Sequence, residues 1–374
     1  MIKIFKTTKK LNITLLGLFI LTGNTMLQTQ EKLIVTYNVS SIDRFGDSVL
    51  IYCKSLWIAM KNNTNFLFKP FRYSDQLSIS HKSMNNGSNK KTRFVKKESD
   101  INPKASDCIF VTNLFTFIPT ISHNSLSHTT INKSTNINDI CEEALKNKKF
   151  GNEVKKNLSP KNQPNINLPN NKITIAVHVR KGGGYDKPIF SEQLYSASDN
   201  LNPTRPPKNR KYIDVIHPFK FPPNQFYIDQ ICMLSTLFND APLYIYIFTD
   251  DQNPKKLADQ FELECNKPNI TFDCREHDNH HAKNVIDDLW AISQFDCLIR
   301  GWSHFPSVAQ MIGNHKIIMF PKKYFWSNKK LIMPEICIIL HDDQKNVLNA
   351  HTYIVSDNID EALYQEINHI FGME

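Results

Sequence analysis

From Ile173 to Val179 the chain reads Ile-Thr-Ile-Ala-Val-His-Val, apolar or β-branched at nearly every position rather than at every second one. A strand that is apolar on both faces belongs to the interior of a parallel sheet, where helices cover both sides. Leu243 to Phe248 repeats the pattern, and further strands are predicted at Lys32 to Asn38, Phe66 to Phe68, Cys108 to Val111, Ile270 to Phe272, Cys297 to Ile299 and Lys316 to Phe320. Between them the apolar period changes to that of a helix. From Ser48 to Met60, apolar Val49, Leu50, Tyr52, Cys53, Leu56, Trp57 and Met60 recur at helical spacing, with Asp47 or Ser48 placed to cap the first turn. Helical spacing also marks Pro223 to Phe238, Pro254 to Phe261, Asp287 to Phe295, Ser307 to Ile312 and Asn358 to Phe371, the last with Ile359, Leu363, Ile367 and Ile370 on one face. Strands alternating with helices predict an α/β protein with mainly parallel sheets.

Two polar stretches interrupt the pattern. Residues 80–104 are lysine-rich, and residues 155–171 carry Pro160, Pro164 and Pro169, so both read as connectors. The second divides the chain into an N-terminal unit, residues 31–170, and a C-terminal unit, residues 171–374. A length of 374 residues suffices for two such domains. In residues 1–30, Lys3, Lys6, Lys9 and Lys10 precede an apolar stretch from Leu11 to Leu21, the charge order of a secretory signal but too short to span a bilayer. This signal-like or anchoring segment is the one place where membrane contact is expected.

The formal charge of +9 suits an anionic ligand, yet the lysines are scattered through connectors rather than gathered into a patch. No DNA- or RNA-binding motif is present, so nucleic acid is not an expected partner. The eight cysteines include no Cys-x-x-Cys pair, and several lie in apolar runs, as buried reduced thiols do. His277, His280 and His281 lack an acid or cysteine at ligand spacing and read as surface; no metal site is expected.

Chemistry concentrates where the strand from Ile173 ends, in Arg180, Lys181 and Gly182-Gly183-Gly184. In parallel sheets ligands sit beyond the carboxyl ends of the strands. Arginine offers a planar fork of donors to a phosphate, and glycines let backbone amides approach one closely. His178, two residues earlier, points to the same side of the strand as Arg180. On pattern alone an ordinary strand-to-loop transition fits equally well.

Three stretches narrow the choice: His178-Val179-Arg180 with its glycines, Phe248-Thr249-Asp250-Asp251, and the run from Asp287 to Phe305. In order and spacing they resemble the fucosyltransferase superfamily, which includes bacterial α-1,2-fucosyltransferases, α-1,6-fucosyltransferases and protein O-fucosyltransferases. In those families a strand ends in His-x-Arg, a later strand in an acidic turn, and a helix-strand unit in a Ser-Ser-Phe-like turn. The likeness extends from Ile173 to Phe320, and Arg44-Phe45-Gly46-Asp47 with its helix resembles the Gly-rich opening loop of the bacterial enzymes.

The resemblance implies a GT-B-like α/β fold of two Rossmann-like domains and an inverting transfer of fucose from GDP-fucose to a glycan hydroxyl, with no cofactor or metal. By the same likeness Arg180 is the catalytic residue, stabilising the leaving diphosphate. His178, Gly182, Gly183 and Asp186 would bind the nucleotide, Asp288 would read guanine or ribose, and Ser303 would contact phosphate. His304, Phe305 and Arg44 complete the substrate-binding set. Metal-dependent transferases of the other main fold use Asp-x-Asp, which Asp250-Asp251 is not; a helix cap before Pro254 is expected there.

Three departures stand against this. The acid usual three residues after the Arg is Gly183, with Asp186 the nearest carboxylate; the opening loop lacks the usual Asn; and the Ser-Ser-Phe turn reads Ser303-His304-Phe305. They favour the alternative, a catalytically degenerate sugar-nucleotide- or carbohydrate-binding protein. A third reading, a basic exported polyanion binder, explains none of the strand-end motifs. The signal-like segment points to export and the donor chemistry to the cytoplasm, which leaves the compartment open.

Overall fold

The computed structural model describes residues 34–38, 44–79, 91–94, 108–112, 140, 144, 147–164, 166–182, 218–276, 279, 280, 282–327, 330–342, 347–354 and 361–373. Residues 1–30, Gly183, Asp186, His277 and His281 lie outside them. A first sheet contains β1 (Ile34–Tyr37), β2 (Asn65–Phe66), β3 (Lys91–Phe94) and β4 (Cys108–Thr112), in the order β2-β1-β4-β3, all parallel. With it go α1 (Phe45–Lys61) and α2 (Lys148–Leu158). A second sheet has seven strands: β5 (Ile173–Val179), β6 (Leu243–Thr249), β7 (Ile270–Cys274), β8 (Cys297–Arg300), β9 (Ile317–Ser327), β10 (Lys330–His341) and β11 (Val347–Ile354). Their order is β11-β10-β9-β8-β5-β6-β7; β7 to β9 run parallel, and β10 is antiparallel to both its neighbours. The helices are α3 (Asn224–Leu237), α4 (Pro254–Cys265), α5 (Val285–Ile292), α6 (His304–Ile312) and α7 (Glu361–Phe371). The class is the expected one: α/β, with a mostly parallel central sheet.

Strand β5 sits between β6 and β8, and its residues divide cleanly between the two faces. Ile175, Val177 and Val179 join the aliphatic layer formed with Ile245, Ile247, Ile299 and Met319 and covered by α3, α4 and α7. Ala176 and His178 point the other way, toward a second layer in which Phe248, Leu298, Ile318 and Phe320 meet α1, α5 and α6. That layer continues without a break into the first sheet through Tyr37, Tyr52 and Phe71. Helix α1 joins the two. Its buried residues run from Phe45 to Ala59 on every side, as a helix enclosed on all faces requires. At its start the fit is backbone to backbone: a Cβ built on Gly46 would lie 2.8 Å from Phe305 N and 3.0 Å from the His304 carbonyl carbon.

Several expectations need correction. Residues 80–104 are not merely a connector, because they contain β3; its basic residues mark an edge strand, where charge is tolerated. The stretch 155–171 begins as the last turn of α2, and its Pro160 bridges to Leu77. Helix α2 itself went unread, although Asn147 caps it and Phe150, Val154 and Leu158 recur every fourth residue. Strands β10 and β11 were also unread. Pro334 and Pro321 lack ladder donors and coincide with register shifts between β9 and β10, which disguise the pairing in sequence. Neither Asp47 nor Ser48 caps α1: Arg44 occupies the N-cap and makes no side-chain cap bond.

Candidate functional site

The carboxyl ends of β5, β6 and β8 deliver His178, Asp250 and Arg300 to one region. His178 and Arg300 are register partners, 8% and 1% exposed. The Arg300 guanidinium donates through Nε (3.0 Å) and Nη2 (2.7 Å) to Gln310 Oε1 of α6 and through Nη1 (3.1 Å) to the Gly301 carbonyl, and it lies over the Phe320 ring at 4.7 Å. It therefore clamps α6 to the end of β8. Burial pushes the His178 imidazole down to about 4, with Arg300 adding to the effect and Asp250 opposing it, so the ring is neutral at pH 7. Its Nδ1 is buried and has no hydrogen-bond partner among the described residues. The ring lies 5.7 Å from that of Phe305.

Arg180 leaves β5 with its guanidinium carbon 5.8 Å from the centre of the Phe221 ring. The loop beyond it is held in a way the sequence did not suggest. Asp250 Oδ1 accepts from the backbone amides of Lys181 (2.6 Å) and Gly182 (3.3 Å). The Gly182 amide, expected to face a phosphate, thus faces a carboxylate of the protein. Gly182 has φ +97°, a backbone only glycine adopts without strain, which lets the loop turn onto Asp250. Asp250 is accordingly not the cap of α4; Asn253 is, accepting from Lys256 N at 3.2 Å.

Segment 219–222 is pinned against the start of α6. Trp302 N donates to the Phe219 carbonyl at 2.7 Å, and a Cβ on Gly301 would sit 3.0 Å from that same oxygen and from Pro222 Cδ. This brings Lys220 close enough for its charge to act on Asp47. Asp47, on the third residue of α1, hydrogen-bonds through Oδ1 to Nδ1 of His304. Burial works against ionising Asp47, yet His304 and Lys220 hold its carboxyl below the usual range. Ser303 is the N-cap of α6, buried and without a side-chain cap bond. Phe305 fills the space between His178 and Phe45, 6.4 Å from the latter ring.

Of the residues read from sequence, then, the structure gathers His178, His304 and Phe305 with Arg44 one turn from Asp47, while Arg180 and Gly182 border them on the next loop. Asp288 stands apart. It lies in the first turn of α5, paired with Arg275 beyond β7, and burial pushes its carboxyl up to about 6 against that pairing. Sequence reasoning gave Asp47 and Asp250 only cap roles, quoted Arg300 within the last stretch without a role, and did not single out Lys220. Among the described residues no three His, Cys, Asp or Glu side chains gather in a metal-holding group, and no helix is long and apolar enough to cross a membrane. A cavity of about 320 Å³ lies elsewhere, along α3, lined by Asp229, Cys232, Thr236, Lys267 and Tyr353.

No protein-family profile matches the chain, and no curated protein matches its sequence. Among solved structures it is similar to POFUT1 in complex with GDP-fucose, at 12% identity over 76% of this chain and 95% of that one, with a TM-score of 0.39. It is similar also to a mutant of Arabidopsis thaliana FUT1 in complex with GDP, at 14% identity over 81% and 74% of the two chains, TM-score 0.42. A third is the NodZ α-1,6-fucosyltransferase co-crystallized with GDP, at 10% identity over 81% and 97%, TM-score 0.30.

Proposed function

We propose that the chain is an inverting glycosyltransferase that moves fucose from GDP-fucose to a glycan hydroxyl. The observation that carries this reading is the meeting of three separate stretches at one end of a parallel sheet: His178 and Arg180 at the end of β5, Ser303-His304-Phe305 opening α6, and Arg44-Phe45-Gly46-Asp47 opening α1. The first two belong to the stretches whose order resembles the fucosyltransferase superfamily, and the third is the one that resembles the opening loop of the bacterial enzymes.

Breaking the bond between the anomeric carbon and the diphosphate leaves negative charge on the β-phosphate while the sugar becomes oxocarbenium-like. Arg180 is the residue assigned to that charge, and Asp250 fixes the loop that aims it. Neutral His178 is suited to a hydrogen bond with donor oxygens rather than to an ion pair. Protein cations carry the leaving-group charge in this reading, so turnover persists in excess EDTA.

The alternative, a binding protein without turnover, is favoured by one specific observation: the amides of Lys181 and Gly182 are already taken by Asp250. Calorimetric titration with GDP, GDP-fucose and UDP, followed by an assay for released GDP, separates the readings. Binding of both guanosine compounds but not UDP, with GDP release from GDP-fucose, is the expected result. Binding without release selects the alternative, and failure to bind GDP overturns the transferase and the sugar-nucleotide-binding form of the alternative alike.

A further inference from the structure

Two stretches that depart from the fucosyltransferase pattern, the opening loop that lacks its Asn and the turn that reads Ser303-His304-Phe305, meet through Asp47 and His304, which are 257 residues apart in sequence and touch in the fold. Resting on the functional reading above, we propose that Asp47 and His304 form a general-base dyad that removes the proton from the acceptor hydroxyl, His304 as the catalytic residue and Asp47 as its positioning partner.

The geometry supports a working pair rather than a sealed strut. The two side chains keep 24% and 20% of their surface, so a third group can reach the imidazole. Their backbones are fixed, since Gly46 abuts His304 and Phe305 with no room for a side chain. Facing the pair is Lys220 from segment 219–222, and the Arg44 backbone also hydrogen-bonds Asp47, while neutral His178 lies across the Phe305 ring. An ionised Asp47 at Nδ1 requires that nitrogen to carry the proton. In the neutral ring this leaves the lone pair on Nε2.

The step balances with the substrates alone. The acceptor oxygen forms a bond to the anomeric carbon on the face opposite the diphosphate as the bond from that carbon to the β-phosphate oxygen breaks, its electron pair staying on GDP. The hydroxyl proton passes to Nε2, and the imidazolium formed is stabilised by the Asp47 carboxylate until it releases the proton to water.

Because the acceptor is unidentified, the test uses water as acceptor and reads GDP released from GDP-fucose by the full chain. Asp47→Asn and His304→Gln are expected to keep GDP affinity within about twofold and to lose turnover by about 10²–10⁴-fold, with no additivity in the double variant. The acid-side fall of the pH-rate profile disappears in both. In His304→Ala, added imidazole restores part of the rate, which a docking contact would not allow. Wild-type turnover in either single variant overturns the dyad alone, whereas a wild-type protein that binds GDP but releases none selects the binding-protein reading and removes the dyad with the transferase. Failure of the wild-type protein to bind GDP overturns the functional reading and the dyad with it.

Discussion

The two faces of the seven-stranded sheet are built from alternate residues of the same strands and do different work. Toward α3, α4 and α7 stand Ile175, Val177, Ile245, Ile247 and Ile299, an aliphatic layer. Toward α1 and α6 the same strands present Ala176 and His178, Tyr246 and Phe248, Leu298 and Arg300. One face is filled for packing alone, and the other carries the groups that need partners. Strand β5 therefore couples stability to function with a period of two, and substitutions one residue apart should have unlike consequences.

The largest contrast is expected from Ile175→Ala. It deletes a wholly buried side chain from the aliphatic face and should cost about 2–5 kcal/mol of unfolding free energy by urea titration, with GDP affinity of the folded fraction unchanged. Arg180→Ala should do the reverse. Turnover falls by about a hundredfold to a thousandfold, roughly 3–4 kcal/mol in the barrier, while the urea midpoint stays put. Lysine at this position rescues poorly because it lacks the planar fork. An Arg180→Ala protein with wild-type turnover removes the residue from the site.

His178 sharpens the comparison through pH. Its folded value, about 4, lies below the ordinary 6.5, so the unfolded chain binds more protons between those values. The stability this group contributes is complete above pH 6.5 and is lost as the pH falls to about 4, amounting to at most about 3 kcal/mol. Asp288 acts in the opposite sense. Its carboxyl is raised from 3.8 to about 6, so its contribution is greatest at low pH and fades as the pH rises through that interval. Urea midpoints at pH 7, 5 and 4 should thus fall less steeply in His178→Asn than in the wild-type chain, and more steeply in Asp288→Asn. Parallel curves for wild type and His178→Asn would mean the imidazole is not held neutral.

What the sequence disclosed follows the same division. Strands β5 and β6 were legible because both their faces are buried, which leaves an unbroken apolar run. Strand β10 was harder: Ile336, Ile338 and Leu340 keep a period of two, but Pro334 signals a break that the sheet absorbs as a register shift. Within the site, His178 and Arg180 could be read because they interrupt an apolar strand. Asp47 and Asp250 could not, since an acid just before or within a first helical turn looks the same whether it caps that turn or reaches a distant partner. Asp250 holds an amide 69 residues away, and Asp47 a ring 257 residues away. Local pattern carries no record of such pairings.

Helix α1 imposes an order on how the chain can mature. Its apolar residues from Phe45 to Leu56 belong to one core with Val308 and Ala309 of α6 and Ile318 and Phe320 of β9, the last of which emerges some 250 residues after α1. At synthesis rates of about 5–20 residues per second, that apolar helix waits roughly 10–50 s on the ribosome before its partners exist. A nascent chain stalled before residue 304 should bind a general holdase chaperone and be cut readily by protease near α1. Release past β9 should end both, so the site's two halves are assembled only after β9 has been made.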